Sequence, residues 1–402
     1  MIVVGGTYDE ICFEPRWEEK FGSGLRACRV INSLNSNIEL EFYTFADITT
    51  KLYLDQIKKV FPTITSIATA IEKTMLFYYD HPLISPRISP RLDTIKFNEN
   101  KIFVEGSDAL CFGMIEGEFE IHAKRVVYDP QSPSNPKLFS EINSTATVLS
   151  IVCNLSEAIK MAKTTDMPSI INFFIEKEKV DNLILKIGPR GALVVDKDSK
   201  TEQLVPVYKS SNVWPIGSGD IFASSYAYHW FNGETSYEAA QKASLLTAFY
   251  SNTKSLDFKQ DSREFDRLLI THEPTSSLYL AGPFFTYTQR WLIDQIRYCF
   301  RHMSINVFSP WHDIGHGIAS DVVPKDLEGL EKSKLVFAVI DGLDSGTLFE
   351  VGYAVKKGIT VIAYVQNESE ESVKMLEGTG CILEKDLATA IYKTYWLLTE
   401  HE

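Results

Sequence analysis

The 402-residue sequence has no basic excess: 40 lysines and arginines stand against 53 acidic residues, for a net charge of −13. Without a basic face, neither nucleic-acid binding nor adhesion to an anionic membrane surface is expected. Small phosphorylated ligands remain open, because they need only a local cradle. No apolar run approaches the ~20 residues of a membrane span. The six cysteines (Cys12, Cys28, Cys111, Cys153, Cys299, Cys381) form no CxxC pair and no metal-ligand spacing, and no secretory leader is legible. Reduced thiols in a cytoplasmic protein are therefore the expectation. Low-complexity tracts and internal repeats are also missing. The composition, 45% hydrophobic and 23% charged, is that of a globular protein, and the length favours two domains over one.

What is present is a strand–helix alternation. "MIVVGG" (1–6) reads as a buried strand ending in glycines, and "GSGLRACRVINSLN" (22–35) as a glycine turn entering a helix. The proline-punctuated "HPLISPRISPR" (81–91) reads as a loop or edge excursion. From about residue 125 the βαβ pattern is plain, and it predicts a largely parallel sheet covered on both faces. "GSGDIFASSYAYHWF" (217–231) is a glycine turn opening a helix, with helical patterning expected as far as Leu269. The polar "THEPTSS" (271–277) then separates a unit spanning 1–270 from a second one spanning 278–402. In the second, "LYLAGPF" (278–284) begins a fresh alternation, and Trp291, Leu292, Ile296 and Phe300 mark the apolar face of its first helix.

Two stretches carry chemistry. In "GSGD" (217–220), glycines before a helix leave unpaired N–H groups and a positive dipole end, a cradle for anionic oxygen. Asp220 there could take a proton from an alcohol attacking a phosphoryl group, or could merely cap the helix. In "IDGLDSGTLFEVGYA" (340–354), a buried parallel strand, "LVFAVI" (335–340), runs into a turn and a helix carrying Asp341, Asp344 and Glu350. Glu350 falls near the strand's carboxyl edge, where open α/β sheets bind ligands. Asp341 is read as a turn former. Glu350 and Asp344 are read as functional. His312 and His316 in "WHDIGHG" lack a third partner at metal-ligand spacing, so no metal cage is assigned.

The first unit resembles the ribokinase-like (PfkB-type) carbohydrate and nucleoside kinases over about residues 1–265. The resemblance rests on "VVGGTYDEI", "YDPQS" (128–132), "NLSEA" (154–158), "LKIGPRGALVV" (185–195) and "IGSGDIFASSY". It implies that Asp9 touches sugar hydroxyls and that Asn154 and Glu157 lie near phosphate and magnesium. Lys186 and Gly188 would line a nucleotide site, Gly217, Ser218 and Gly219 would form the anion hole, and Asp220 would be the catalytic base. ATP with Mg2+ is the implied cofactor. Two departures stand out: Arg26 sits where the family has a diglycine followed by asparagine, and "WPI" (214–216) replaces the usual approach to the signature.

The second unit is similar to the nucleoside 2-deoxyribosyltransferase family, including its nucleotide N-glycoside hydrolases, over 278–395. "LYLAGPFF", "KDLEGL" and "DGLDSGTLFEVGYA" carry the likeness. It implies Glu350 as nucleophile and Asp326 and Asp344 as groups that hold or protonate the base and bind sugar hydroxyls. Tyr279 would orient the glutamate, Gly282 would line the substrate turn, and no cofactor is needed. Where the transferases take an asparagine from a neighbouring subunit, "SVKMLEG" (372–378) has Val373, which makes hydrolysis a competitor to transfer.

The expected architecture is thus α/β in two domains, a ribokinase-like αβα sandwich followed by a smaller flavodoxin-like or Rossmann-like parallel-sheet domain. The expected protein is a bifunctional enzyme of nucleoside metabolism. The alternative is a nucleotide N-glycoside hydrolase regulated by a non-catalytic nucleotide-sensing half, as in a stress or defence effector. A non-enzymatic scaffold would leave the carboxylates without purpose. Small-molecule nucleosides, nucleotides or sugars are the expected partners, in a homo-oligomer.

Overall fold

In the computed structural model, which describes residues 1–95, 98–132, 134–258 and 265–400, the strand Ile2–Val4 sends Val3 into one hydrophobic cluster and Ile2 and Val4 into another. The strand Asn182–Lys186 divides in the same way, with Ile184 on one side and Leu183 and Leu185 on the other. Since successive side chains of a strand face opposite ways, a strand apolar at every position must be covered on both faces. Both belong to a nine-stranded sheet. Its order is Thr201–Val205, Ala192–Asp196, Asn182–Lys186, Thr145–Asn154, Gly117–Asp129, Asn98–Phe112, Ile2–Val4, Leu40–Ala46, Ile64–Ala70. Every pairing is parallel except the two at the Thr201–Val205 edge, where the chain doubles back through Gly191 at φ +88.

A second, four-stranded sheet is built from Trp17–Lys20, Asp9–Cys12, Leu76–Tyr79 and Arg87–Ser89, so the proline-rich segment contributes an edge strand. Backbone contacts assign Met1–Ser210 and Trp214–Leu269 to this first unit, and Ser211–Val213 with the residues from Ile270 onward to the second. The helical patterning expected to Leu269 stops earlier. The helix Ser236–Thr253 ends at Lys254, which adopts the left-handed conformation at φ +59. Asp266–Leu268 is instead a short strand paired with Val207–Lys209. A left-handed C-terminal residue closes a helix whatever the apolar pattern beyond it.

The second unit has a five-stranded, wholly parallel sheet in the order Asn306–Phe308, Ser277–Ala281, Leu335–Val339, Thr360–Tyr364, Ile382–Glu384. In chain order this is 2-1-3-4-5, the flavodoxin-like arrangement, whose ligand crevice opens beside the carboxyl ends of the first and third strands. The helix Tyr287–His302 buries Ile293, Ile296 and Phe300, while Trp291, expected on that face, stays 44% exposed. All six cysteines are thiols, five of them buried. No helix among the described residues is long and apolar enough to cross a membrane.

Candidate active sites

The strand Leu335–Val339 leads into a turn through Gly342 and Leu343, both at positive φ (+90 and +47). Asp341 ties this turn to the next loop, accepting bonds from the Gln366 and Asn367 N–H groups at 2.9 and 3.0 Å. Asp344 then caps the helix Ser345–Lys357: its Oδ2 accepts from the Thr347 N–H at 2.8 Å and from the Thr347 hydroxyl at 2.9 Å. The helix places Glu350 beside the first strand. There the Tyr279 hydroxyl donates to Glu350 Oε1 at 2.6 Å. Tyr279 is fully buried on that strand and stacked on Phe308, so its hydroxyl is a fixed donor.

Burial pushes the Glu350 carboxyl up to about 7; the Tyr279 hydrogen bond opposes this, and the charges of Asp326 and Asp344 add to it. Burial also raises Asp326, on the helix Ala319–Lys332. Asp326 Oδ1 is a buried acceptor with no hydrogen-bond partner in the protein. Buried polar atoms are nearly always satisfied, so an orphan among raised carboxylates points to a ligand group. Gly282 packs where a Cβ would fall 2.5 Å from Ile293 Cδ1, so it serves close packing of the turn after the strand. Beyond it, Phe284 stacks on Trp311 at 5.4 Å, with His316 edge-on to Trp311 at 4.9 Å. Phe284 and Trp311, which the sequence reading did not single out, follow the first two strands of the sheet. His312 is a brace, bonded to Asp294 at 2.8 Å and to Ser309 at 3.0 Å. Val373 lies in its own unit's core, 6% exposed.

In the first unit a cavity of about 260 Å³ is lined by Tyr8, Glu10, Phe77 and Tyr79 from the small-sheet region. Ser23, Arg26, Gln131, Asn154, Glu157 and Lys186 also line it, together with Gly217, Gly219 and Asp220. The sequence motifs therefore do converge, but their side chains are largely engaged. Gly217, at φ +76, starts the helix Ser218–Phe231, and no side chain caps it. Ser218 turns back to donate to the Pro215 carbonyl at 2.8 Å. Asn154 and Glu157 form a reciprocal capping box, with bonds of 2.8 and 2.9 Å to each other's N–H groups. Lys186 Nζ pairs with buried Asp129 at 2.6 Å. Burial pushes Asp129 up to about 7, with Lys186 pulling the other way and Glu157 adding to the rise. Gly188 opens a one-turn helix at φ +54 and does not line the cavity.

Asp9 does not line the cavity either: it pairs with Lys20 at 2.5 Å and is partly exposed. Strand alternation turns the next residue, Glu10, inward instead. Glu10 meets Arg26, and Arg26 also meets Asp220, through one guanidinium that is 1% exposed. Asp220 Oδ1 accepts from the Gln131 amide as well. Arg26 is desolvated, yet the Glu10 and Asp220 carboxylates hold its guanidinium in the charged form. Glu10 and Gln131 lie inside the quoted stretches "VVGGTYDEI" and "YDPQS", but nothing there singled them out. Arg26 had a signal, as a cation in an otherwise small and apolar helix start. Among the described residues no cluster of three or more His, Cys, Asp or Glu is placed to hold a metal ion.

Two separate stretches of the chain match two different family models. Residues 278–386 match the family model for nucleoside 2-deoxyribosyltransferase, and residues 117–258 match that for pfkB family carbohydrate kinase. No curated protein matches the chain. Among solved structures, a ribokinase from Thermotoga maritima aligns at 15% identity over 64% of this chain and 94% of its own, with a TM-score of 0.44. The ribokinase of Giardia lamblia aligns at 13% identity over 64% and 95%, with a TM-score of 0.48. A nucleoside kinase from Burkholderia thailandensis, in complex with inosine, aligns at 14% identity over 64% and 92%, with a TM-score of 0.44.

Proposed function

We propose that the C-terminal unit cleaves or exchanges the N-glycosidic bond of a nucleoside or its 5′-monophosphate, with Glu350 as nucleophile. The observation that carries this reading is the raised Glu350 carboxyl held by the Tyr279 hydroxyl beside an unpartnered Asp326 oxygen, at the crevice of a 2-1-3-4-5 sheet. The ionised Glu350 attacks the anomeric carbon as the bond to the base breaks, and the departing base takes its electron pair and a proton from Asp326 in its acid form. Water, or the N–H nitrogen of a second base, then displaces Glu350 from the anomeric carbon and gives its proton to the ionised Asp326, restoring the acid. Tyr279 fixes the carboxylate's orientation during both displacements, and the Phe284–Trp311 surface offers a base a stacking face. Asp344, already bonded through one oxygen to Thr347, is oriented to receive a sugar hydroxyl on the other. The burial of Val373 in its own core favours hydrolysis, because that side chain is not available to a neighbour's pocket.

A chromatographic time course with nucleosides and 5′-monophosphates, with and without a second free base, tests this. Release of base without an acceptor identifies a hydrolase, and exchange only with an acceptor identifies a transferase. No release from any substrate refutes the glycosidic reading.

For the N-terminal unit the family implies phosphoryl transfer from ATP with Mg2+. The side chains do not fit that role: Asp220 is bonded on both oxygens, Arg26 lies against the Gly217 turn, and Asn154 and Glu157 cap one another. These contacts favour the second reading, in which this half binds a small molecule without phosphorylating it and regulates the glycosidic half. Adding ATP–Mg2+ to the same time course separates the two: acceptor-dependent ADP formation supports a kinase.

A further inference from the structure

The C-terminal crevice gathers carboxyl groups without a counter-charge. In the first unit Glu10 and Asp220 share Arg26, and Asp129 has Lys186. Asp326, Asp344 and Glu350 have no such partner among the described residues. Glu350 receives the Tyr279 hydroxyl, Asp344 the N–H and hydroxyl of Thr347, and Asp326 Oδ1 receives nothing. The charges that act on Glu350 are those of Asp326 and Asp344, both of its own sign. Like charges gathered in a desolvated place cost free energy unless something positive joins them. The protein brings no such group to these carboxylates, and the place is left for a ligand.

The aromatic side chains at this crevice suit a cation as well. Phe284 and Trp311 stand beyond the carboxyl ends of the strands that carry Tyr279 and Phe308, and they stack at 5.4 Å. An aromatic face is negative, so a flat cation laid on it gains an attraction that a neutral ring does not. Trp311 already attracts one: the Arg290 guanidinium carbon lies 5.3 Å from its ring centroid. That guanidinium is exposed, bonds through Nε to the Thr286 carbonyl at 3.4 Å and pairs with none of the three carboxylates. A doubly charged 5′-phosphate would add to the crowding of negative charge around Glu350.

We propose that the C-terminal site prefers nucleosides whose base carries a fixed positive charge on the ring bearing the glycosidic bond, such as N-alkylated purine or pyridinium nucleosides, over neutral nucleosides and over 5′-monophosphates. This rests on the glycosidic reading with Glu350 as nucleophile and gives that site its substrate class. The charge acts twice. On binding, it offsets Asp326 and Asp344 and holds Glu350 in the carboxylate form that attacks. In the first displacement Glu350 bonds to the anomeric carbon, and the electron pair of the glycosidic bond passes to the ring nitrogen and cancels its charge. The base therefore leaves neutral and takes no proton. In the second, water bonds to the anomeric carbon as Glu350 leaves, and the water's proton passes to ionised Asp326 and then to solvent. Hydrolysis of a cationic nucleoside thus releases a proton, whereas that of a neutral one releases none.

The test uses the full-length chain with guanosine, N7-methylguanosine, nicotinamide riboside and nicotinamide mononucleotide. Glycosidic bonds to cationic bases are weaker in themselves, so binding is read apart from cleavage, by calorimetric titration of the Glu350→Gln protein at low and high salt. N7-methylguanosine is expected to bind on the order of tenfold more tightly than guanosine at low salt, with the gap narrowing as salt is added. In the wild-type protein, base release from the two cationic nucleosides is expected to yield an equal amount of protons, read with a pH indicator in weak buffer. The mononucleotide is expected to give a lower kcat/KM than its riboside. Asp326→Asn, checked for folding by circular dichroism, is expected to slow single-turnover base release from guanosine on the order of tenfold more than from N7-methylguanosine, because only guanosine needs a proton for its base. Equal or tighter binding of guanosine overturns the proposal, and if Asp326→Asn does not fold, that binding pair decides alone. A preference for the mononucleotide, an equal loss on both substrates with Asp326→Asn, or cleavage of guanosine but of neither cationic nucleoside also overturns it. Failure of the glycosidic reading looks different: none of the four compounds, neutral or cationic, releases its base.

Discussion

Asp220 and Glu350 both sit near the start of a helix in an α/β unit, and both face into a site, yet their surroundings differ in kind. Asp220 shares a fully buried guanidinium with Glu10 and receives an amide hydrogen bond as well. Glu350 receives a single tyrosine hydroxyl, and its charged neighbours, Asp326 and Asp344, carry its own sign. A carboxylate bonded to an arginine on one oxygen and to an amide on the other is fixed in place with both oxygens occupied. One that is desolvated among other carboxylates titrates near neutrality and keeps its oxygens for a ligand. The same residue class is thus tied up in one half and left open to a ligand in the other.

The sharpest break of this comparison is removal of each charge in turn. Glu350→Gln should lower the rate of base release by on the order of 10³-fold or more, as loss of a covalent nucleophile does, measured by initial rates with the best substrate. The same change should stabilise the fold at alkaline pH. The folded-state value of Glu350, about 7, lies above its ordinary 4.5, so the folded protein holds a proton the unfolded chain has lost. That contribution falls away as pH rises from 4.5 through 7. Above it, the glutamine variant should be more stable than wild type by roughly 1–3 kcal/mol in urea titrations. Arg26→Leu should do the reverse, lowering the unfolding free energy by about 3–5 kcal/mol, because two carboxylates are left buried without their counter-charge.

Smaller effects refine the Glu350 side of the contrast. Tyr279→Phe should reduce base release by about 10- to 100-fold, the equivalent of losing a hydrogen bond to a charged group. The nucleophile is the ionised form, so the wild-type rate should rise with pH through about 7. Because the tyrosine holds Glu350 down, its loss should move that limb to higher pH. Asp326→Asn should also lower base release, because an amide has no proton to give the departing base. A pH–rate profile with no limb near neutrality would break the assignment of Glu350.

Much of this could be read before the structure. Asp344 and Glu350 stood out in the turn and helix that follow a buried strand, whereas Tyr279 and Asp326 were reached only through the family resemblance; the fold brings Tyr279 against Glu350, with Asp326 and Asp344 near enough for their charges to act on it. The N-terminal site was harder to read for three physical reasons. Asp9–Cys12 is only four residues long, so nothing in it sets which of Asp9 and Glu10 faces inward, and the structure turns Glu10 in. The pairing of Arg26 with Asp220 spans 194 residues, beyond any local pattern. And Asn-x-x-Glu is a capping box as well as a ligand motif, so residues 154 and 157 satisfy one description while also suggesting the other.

The anchoring of Glu350 to Tyr279 has a kinetic consequence. Tyr279 lies on an interior strand of the five, bonded to neighbours on both sides, and is fully buried. Amides in such strands exchange with solvent only when the whole cooperative unit opens. The hydroxyl that holds Glu350, the proposed nucleophile, therefore cannot be lost by fraying of a loop or a terminus. Thermal inactivation of the glycosidic site should follow the opening rate of the entire C-terminal sheet, with the slowest-exchanging amides and the last activity disappearing together.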